Sequence, residues 1–370
     1  MDQNSPPIGT LDKPPVSESA DWPEIRALKL AISVRWQRPN VIPPQVLANI
    51  LRGGLGITLR QLACPKEWQD NPCPPCPLYR DCPYGQVFSP SPPADAHQLR
   101  LQQDLPRPFV IDPLRQDQDQ PTDPTGITFH LMLFGAAVFR FPIFVSTLER
   151  LGHAGLGRDR MPFQLQSITA NHPAGSQVLF VGGNPRMTLP DRQISTGDLL
   201  GTEPLVEKGT TPPGSAANPA RCRIRYLTPT VLKAGSGLDA QGNQIPAQEI
   251  RDRPPLGVLI RRLRDRLSAL SAFFGTPWNH PDFASLGQLA DEVRLVDAQT
   301  AWETRRRHST RTGHKHELSG FVGEADYEFP TTDHYAQLWP LLRFGELIHV
   351  GKHAAWGNGA IQVTRLEGRR

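Results

Sequence analysis

Residues 28–36, LKLAISVRW, alternate cleanly along the chain. Leu28, Leu30, Ile32, Val34 and Trp36 face one way, and Lys29, Ser33 and Arg35 the other. A period of two predicts a half-buried strand. After the proline-bearing QRPNVIPP, a helix is predicted from about Gln45 to Leu62, with Val46, Ile50, Leu55, Leu59 and Leu62 as its buried stripe. Gly53, Gly54 and Gly56 weaken the middle of that helix. Segments 107–111, 126–138 and 161–168 read as strands, 141–152 as a helix and 153–160 as a glycine loop.

The second half repeats the theme. Residues 222–229 alternate as a strand. Residues 255–274 form an amphipathic helix with Leu256, Leu259, Leu263, Leu267, Leu270 and Phe274 on one face; Pro255 opens it and Gly275 closes it. Segment 320–329 is a strand, and 334–350 is mostly helix, with Pro340 marking a kink or a late start. A glycine-rich loop and a last strand follow. STLERLGHAGLGRDRMPFQL and FGELIHVGKHAAWGNGAIQV occupy equivalent places in the two halves. Duplicated β-α-β units of this kind predict an α+β chain of tandem ferredoxin-like (RRM-like) domains with a Cys-rich insert. The expected division is a disordered tail over 1–24, an N-terminal domain over 25–200 with its insert at 64–90, and a linker over 201–221. A C-terminal domain over 222–370 carries the glycine-rich loop at 351–359.

Composition sharpens this picture. The chain has 370 residues, an apolar fraction of 38% and a mean hydropathy of −0.40. No apolar run approaches the roughly 18 residues of a membrane span, so no membrane partner is expected. The polar, proline-rich start has no apolar core and no basic opening, which argues against a secretory signal and for the cytoplasm. The 39 prolines, over a tenth of the chain, concentrate in 1–23, 71–93, 104–125 and 203–219, marking loops and linkers.

The net charge of +4 says little alone. Its distribution says more. RDRPPLGVLIRRLRDR (251–266) has six arginines against two aspartates, and RRRHSTRTGHKH (305–316) has four arginines, a lysine and three histidines with no acid. Such patches suit a polyanion or make a solvated face. Cys64, Cys73, Cys76 and Cys82 follow the pattern C-x8-C-x2-C-x5-C within a proline-rich insert. Four nearby thiolates in a cytosolic chain point to structural zinc, with no position left open for catalysis, against a reading as unligated or redox cysteines. Cys222 falls in a strand and is expected in the core.

Several motifs in order resemble a known family. CPYGQVF (82–88) followed by LPRPFVIDP (105–113) looks like a first-domain signature, and LFGAA (133–137) with GLGRDRMPFQL (155–165) like its helix and glycine turn. YLTPTVLK (226–233), RHSTRTGHKHELSGFVGEADYEF (307–329) and FGELIHVGKHAAWGNGAIQV (344–363) complete the set. Together they resemble the CRISPR precursor-RNA processing endoribonucleases of the RAMP superfamily. That resemblance implies an enzyme that grips a repeat RNA hairpin and cuts it without metal. A ribose 2′-hydroxyl attacks the adjacent phosphate and leaves a 2′,3′-cyclic phosphate. The implied partners are CRISPR repeat RNA and crRNA, and further subunits of a CRISPR effector complex.

The chain departs from the common family pattern, which places a catalytic histidine near the first helix. No histidine precedes His97, and 37–63 offers only Arg38, Arg52 and Arg60. The candidates are therefore C-terminal. His308 and His349 suit proton transfer, because imidazole titrates near working pH. Lys352 and Arg311 suit stabilisation of the phosphorane-like charge. Arg305, Arg306, Arg307 and Lys315 are expected to contact RNA phosphates. Gly351, Gly357 and Gly359 would let backbone approach a sugar-phosphate chain. For His349 the alternative is a packed helix end. His314, His316 and His353 are placed as RNA-contacting or exposed, and Trp356 as packed under the loop in preference to stacked on a base. Two rival functions stay open: a catalytically inactive repeat-RNA-binding subunit, and a zinc-bearing nucleic-acid-binding adaptor that meets DNA.

Overall fold

A computed structural model describes residues 22–40, 42–90, 105–112, 124–184, 186–201, 220–235, 237–238, 244–278, 283–308 and 315–366. Most of the expected tail and linker lies outside them. The tail's end does not: Trp22 stacks on Trp278 and Phe344 of the C-terminal half, with ring centroids 5.2 and 5.9 Å away.

The N-terminal half runs β1 (Ala27–Trp36), α1 (Pro44–Ala63), α2 (Pro83–Phe88), β2 (Phe109–Asp112), β3 (Gly126–Phe134), α3 (Phe141–Ala154), β4 (Phe163–His172), β5 (Gly175–Val181) and α4 (Thr196–Leu200). The C-terminal half runs β6 (Arg221–Thr230), β7 (Leu232–Ala234), β8 (Gly237–Leu238), β9 (Gln244–Ile245), β10 (Gln248–Ile250), α5 (Leu256–Phe274) and α6 (Phe283–Asp291). It ends with β11 (Arg294–Glu303), β12 (Arg306–His308), β13 (Lys315–Glu317), β14 (Gly320–Glu328), α7 (Thr332–Ile348) and β15 (Ile361–Leu366).

The two main sheets have strand orders β2-β3-β1-β4-β5 and β11-β14-β6-β15, antiparallel throughout. Without the extra edge strand β5, both read second-third-first-fourth in order of appearance. That is the ferredoxin-like arrangement, twice. The expected repeat is therefore real at the level of topology, and α3-turn-β4 and α7-loop-β15 are equivalent.

The expected stripe of α1 holds at Leu55 and Leu59 and fails at Val46 and Leu62. Leu47, Leu51, Leu55 and Leu59 are fully buried, at the i, i+4 spacing of one helix face, whereas Val46, Ile57 and Leu62 are exposed. Its glycines are packing sites. A Cβ at Gly54 would press on Leu151 and Leu156, and one at Gly56 on Phe88. The small side chains let α3 and α2 approach closely. β3 stops at Phe134, short of the expected Val138, because Gly135 turns at φ +54° where a Cβ would strike the Phe274 carbonyl. α7 runs unbroken through Pro340 from a Thr331 cap, whose hydroxyl accepts from the His334 N–H.

Two hydrophobic clusters fill the molecule, and each borrows from the other domain. Val110, Met132 and Phe134 of the first sheet join the C-terminal core, while Ala355 of the glycine loop joins the N-terminal one.

Candidate functional site

α7 ends at Ile348, and the chain then turns through four residues of positive φ before the last glycine. These are His349 (+58°), Gly351 (+76°), His353 (+65°) and Gly357 (+87°), followed by Gly359 (+72°) and β15. The glycines are required from within. A Cβ at Gly351 would meet the Val231 carbonyl, and one at Gly359 the Val350 carbonyl. The loop is also tied down. Val350 N–H donates to Gly359 at 2.9 Å, Gly359 N–H to Pro229 at 3.1 Å and Ala360 N–H to Thr228 Oγ1 at 2.8 Å.

His349 has no exposed surface, and its Nδ1 donates to the Asn358 carbonyl at 3.2 Å. It occupies the packed helix end. A proton-transfer group needs access to the 2′-hydroxyl, and His349 presents no surface here. Asn358, also buried, donates to the Leu318 carbonyl at 3.2 Å. That bond staples the loop to the root of the β12–β13 hairpin.

The loop reaches across to the N-terminal domain. Ala355 is buried there and Trp356 packs beside it. The Arg52 guanidinium of α1 lies over the indole, 4.3 Å from the ring centroid, and the His353 ring sits 5.4 Å away on the same indole. Trp356 is thus packed, as expected, but against another domain. His353 is half-buried and Lys352 exposed. One turn before Arg52 on the same helix, Asn49 Oδ1 is sealed from solvent with no hydrogen-bond partner among the described residues. One cation, Arg52, and one half-exposed imidazole, His353, thus meet on Trp356 where the domains touch. The sequence offered no signal for this, because Arg52 and His353 are far apart in the chain.

The hairpin carries the other candidates. Arg306 faces Glu317, Arg307 faces His316 and His308 faces Lys315 in its register. Arg311 and His314 lie outside the described residues. Arg305 is tied up: its Nε and Nη2 donate to both Glu303 carboxylate oxygens at 2.6 Å. That pairing engages Nε and one Nη of the guanidinium within the chain. Two arginines of the 251–266 patch are likewise engaged within the domain. Arg261 pairs with Asp291, and Arg264 Nη1 donates to the Phe283 carbonyl at 2.6 Å. The outer face of the second sheet is zipped shut as well, with Arg223 on Asp326 at 2.7 Å and Arg221 and Arg294 on Glu328. These bonds hold the Glu328 carboxyl below its usual range, Arg294 most of all.

In the insert, Cys64 caps the end of α1 and Cys82 opens α2, while Cys76 N–H donates to the Cys73 carbonyl at 2.9 Å. All four are free and half-buried. Burial pushes the Cys64 thiol up. Among the described residues no three His, Cys, Asp or Glu side chains are placed to hold a metal ion, so zinc rests on the spacing alone. Arg60 ties this insert to α1, donating to the carbonyls of Trp68, at 3.2 Å, and Asn71. Among the described residues, no helix is long and apolar enough to cross a membrane.

Two ferredoxin-like domains bridged by a glycine loop define a tandem RAMP-type fold. Residues 224–361 match the family described as CRISPR-associated endoribonuclease Cas6, and residues 25–192 match a family described as an N-terminal domain. The match puts a Cas6-family segment in the C-terminal domain of a RAMP-like double ferredoxin-like fold. Among solved structures it is similar to a Cas6 product complex, at 15% identity over 92% of this chain and 99% of that one, with a TM-score of 0.50. A partial Cas6-RT-Cas1–Cas2 complex matches at 12% identity over 94% of this chain and 47% of that one, with a TM-score of 0.52. Thermus thermophilus Cas6 matches at 14% identity over 92% and 99%, with a TM-score of 0.47. No curated protein matches.

Proposed function

We propose that this chain cleaves CRISPR repeat RNA without metal, at the junction of the glycine loop and α1. The ribose 2′-hydroxyl attacks the adjacent phosphorus in line. The bond to the 5′ oxygen breaks, giving a 2′,3′-cyclic phosphate and a 5′-hydroxyl. One group must accept the 2′-hydroxyl proton and one must return a proton to the leaving oxygen. His353 takes the proton-transfer role in this reading. Lys352 and Arg52 stabilise the charge that builds on the phosphate. Arg306, Arg307, His308 and Lys315 on the hairpin grip the RNA stem. The observation that carries the reading is that Arg52 and His353 both lie against Trp356. It supports the reading by bringing a cation of α1 and an imidazole of the glycine loop to one side chain.

The repeat RNA stays with the enzyme as crRNA in this reading, and further CRISPR subunits are its protein partners. The inactive-subunit reading predicts binding without cutting. The test is incubation of repeat RNA with the protein in excess EDTA, with the product termini analysed by mass. Cleavage with a 2′,3′-cyclic end, and no cleavage when the cut-site ribose is 2′-deoxy, is the expected result. Cleavage that EDTA abolishes, or binding with no cleavage at all, contradicts it.

A further inference from the structure

A second feature adjoins the glycine loop. Between the loop and α5 lies a cavity of about 420 Å³, lined by Lys233, Arg262, Asp265, Arg266, Gly351 and Lys352 among others. Its one carboxylate is already shared. Asp265 lies 3.6 Å from Arg262 and 2.9 Å from Arg264. Lys233 reaches Glu249 only at 3.8 Å.

Arg266 is the unusual member. Its Nε donates to the Ile348 carbonyl at 2.7 Å, at the last helical residue before the loop. Its Nη2 is sealed from solvent and has no hydrogen-bond partner among the described residues. Burial pushes the guanidinium down to about 10, and no carboxylate offsets this. Arginine nonetheless keeps its charge at neutral pH. A guanidinium with one nitrogen sealed from water and unpartnered among the described residues is costly, and an anion is what relieves it.

We infer that this cavity is a phosphate subsite, which holds a backbone phosphodiester of the RNA next to the one that is cut. The inference rests on the RNA-cleaving function proposed above, and Lys352 joins the two places. Arg266 would then do two things at once: bind the neighbouring phosphate and hold the helix end from which the loop springs.

The test measures repeat-RNA affinity against salt concentration for two sets of variants. One is Arg266→Met, with Arg266→Lys as its conservative partner. The other is Lys233→Ala with Arg262→Ala, whose side chains are 47% and 42% exposed and can be shortened without opening the core. Each lost phosphate contact lowers the slope of log affinity on log salt by about one unit. Binding near 0.1 M salt should fall about tenfold. KM should rise more than the single-turnover rate at saturating RNA falls, since a flanking phosphate is held equally before and during the reaction. Arg266→Lys should recover part of the slope. Arg261→Gln, on the same helix but paired with Asp291, should leave the slope as it is. Inorganic phosphate is the second arm. Millimolar phosphate that raises the wild-type melting temperature, together with unchanged RNA slopes in the variants, would assign the cavity to free phosphate and overturn the RNA subsite. An unchanged slope in the Lys233/Arg262 variant overturns the inference even if Arg266→Met fails to fold. Wild-type protein that binds no repeat RNA would instead overturn the function on which it rests.

Discussion

The two glycine turns occupy the same place in the two domains and have been put to different uses. The first, between α3 and β4, closes on itself: Leu156 and Met161 exchange backbone bonds of 2.8 and 3.0 Å across it. Its glycines at 155 and 157 turn at φ +82° and +79°. The second turn, between α7 and β15, is longer and carries Lys352, His353 and Trp356. It closes at its root through Val350 and Gly359 and sends its tip into the other domain. One turn is a connector and the other a bridge. A bridge brings chemistry from one domain against α1 of the other, which the short turn has no residues to do.

Breaking the bridge at its root should have the largest effect. Gly359→Ala places a methyl on the Val350 carbonyl at a positive φ, and a cost of roughly 2–4 kcal/mol is expected from strain and clash together. Gly157→Ala in the connector also has positive φ but nothing closer than Ile50 at 4.0 Å, so only about 1 kcal/mol is expected. Chemical denaturation of both variants checks this. Equal costs would mean that the two turns are built alike.

Cutting the bridge at its tip is milder for stability and harder on function. Trp356→Ala removes the surface that Arg52 covers, a cation–π contact worth about 1 kcal/mol. Single-turnover cleavage should fall at least about tenfold, because small misplacements of reacting groups are expensive, while the melting temperature moves by only a few degrees. Trp356→Phe should restore part of the rate. A Trp356→Ala protein that cleaves at the wild-type rate would detach the reaction from the junction.

The Cys-rich insert, remote from the bridge in role, should matter least for cutting. Metal analysis of freshly purified, reduced protein should find about one zinc, as the spacing of Cys64, Cys73, Cys76 and Cys82 predicts, and chelation should leave cleavage intact. A metal-free protein with an ordered insert would show that the Arg60 bonds suffice.

Much of the fold was legible because its signals are local. β1, α5 and β6 announce themselves by clean periodicity, and the doubled helix-glycine-strand pattern gave the tandem architecture. β11 was missed because it is an edge strand, half-exposed along its length, with a bulge between Leu295 and Asp297 that breaks the alternation. α6 and β5 escaped because they are short, nine and seven residues. The site was less legible. The glycine loop was marked by its glycines, but their cause is contact with Val231 and Val350, which only the folded chain supplies. His349 and His353 look alike in sequence, and one is buried while the other is half-exposed. The partnership of Arg52 with Trp356 joins residues from different domains, and no local pattern encodes it.

The most direct test compares His353→Ala with His349→Gln and His308→Ala in single-turnover cleavage of repeat RNA, alongside affinity for a 2′-deoxy substrate that binds without being cut. His353→Ala should lower the rate by roughly a hundred- to ten-thousand-fold with affinity nearly unchanged. His308→Ala should act mainly on affinity, and His349→Gln mainly on stability. If His353→Ala cleaves at the wild-type rate while His308→Ala does not, the chemistry lies on the hairpin, and the bridge serves only to hold the two domains together.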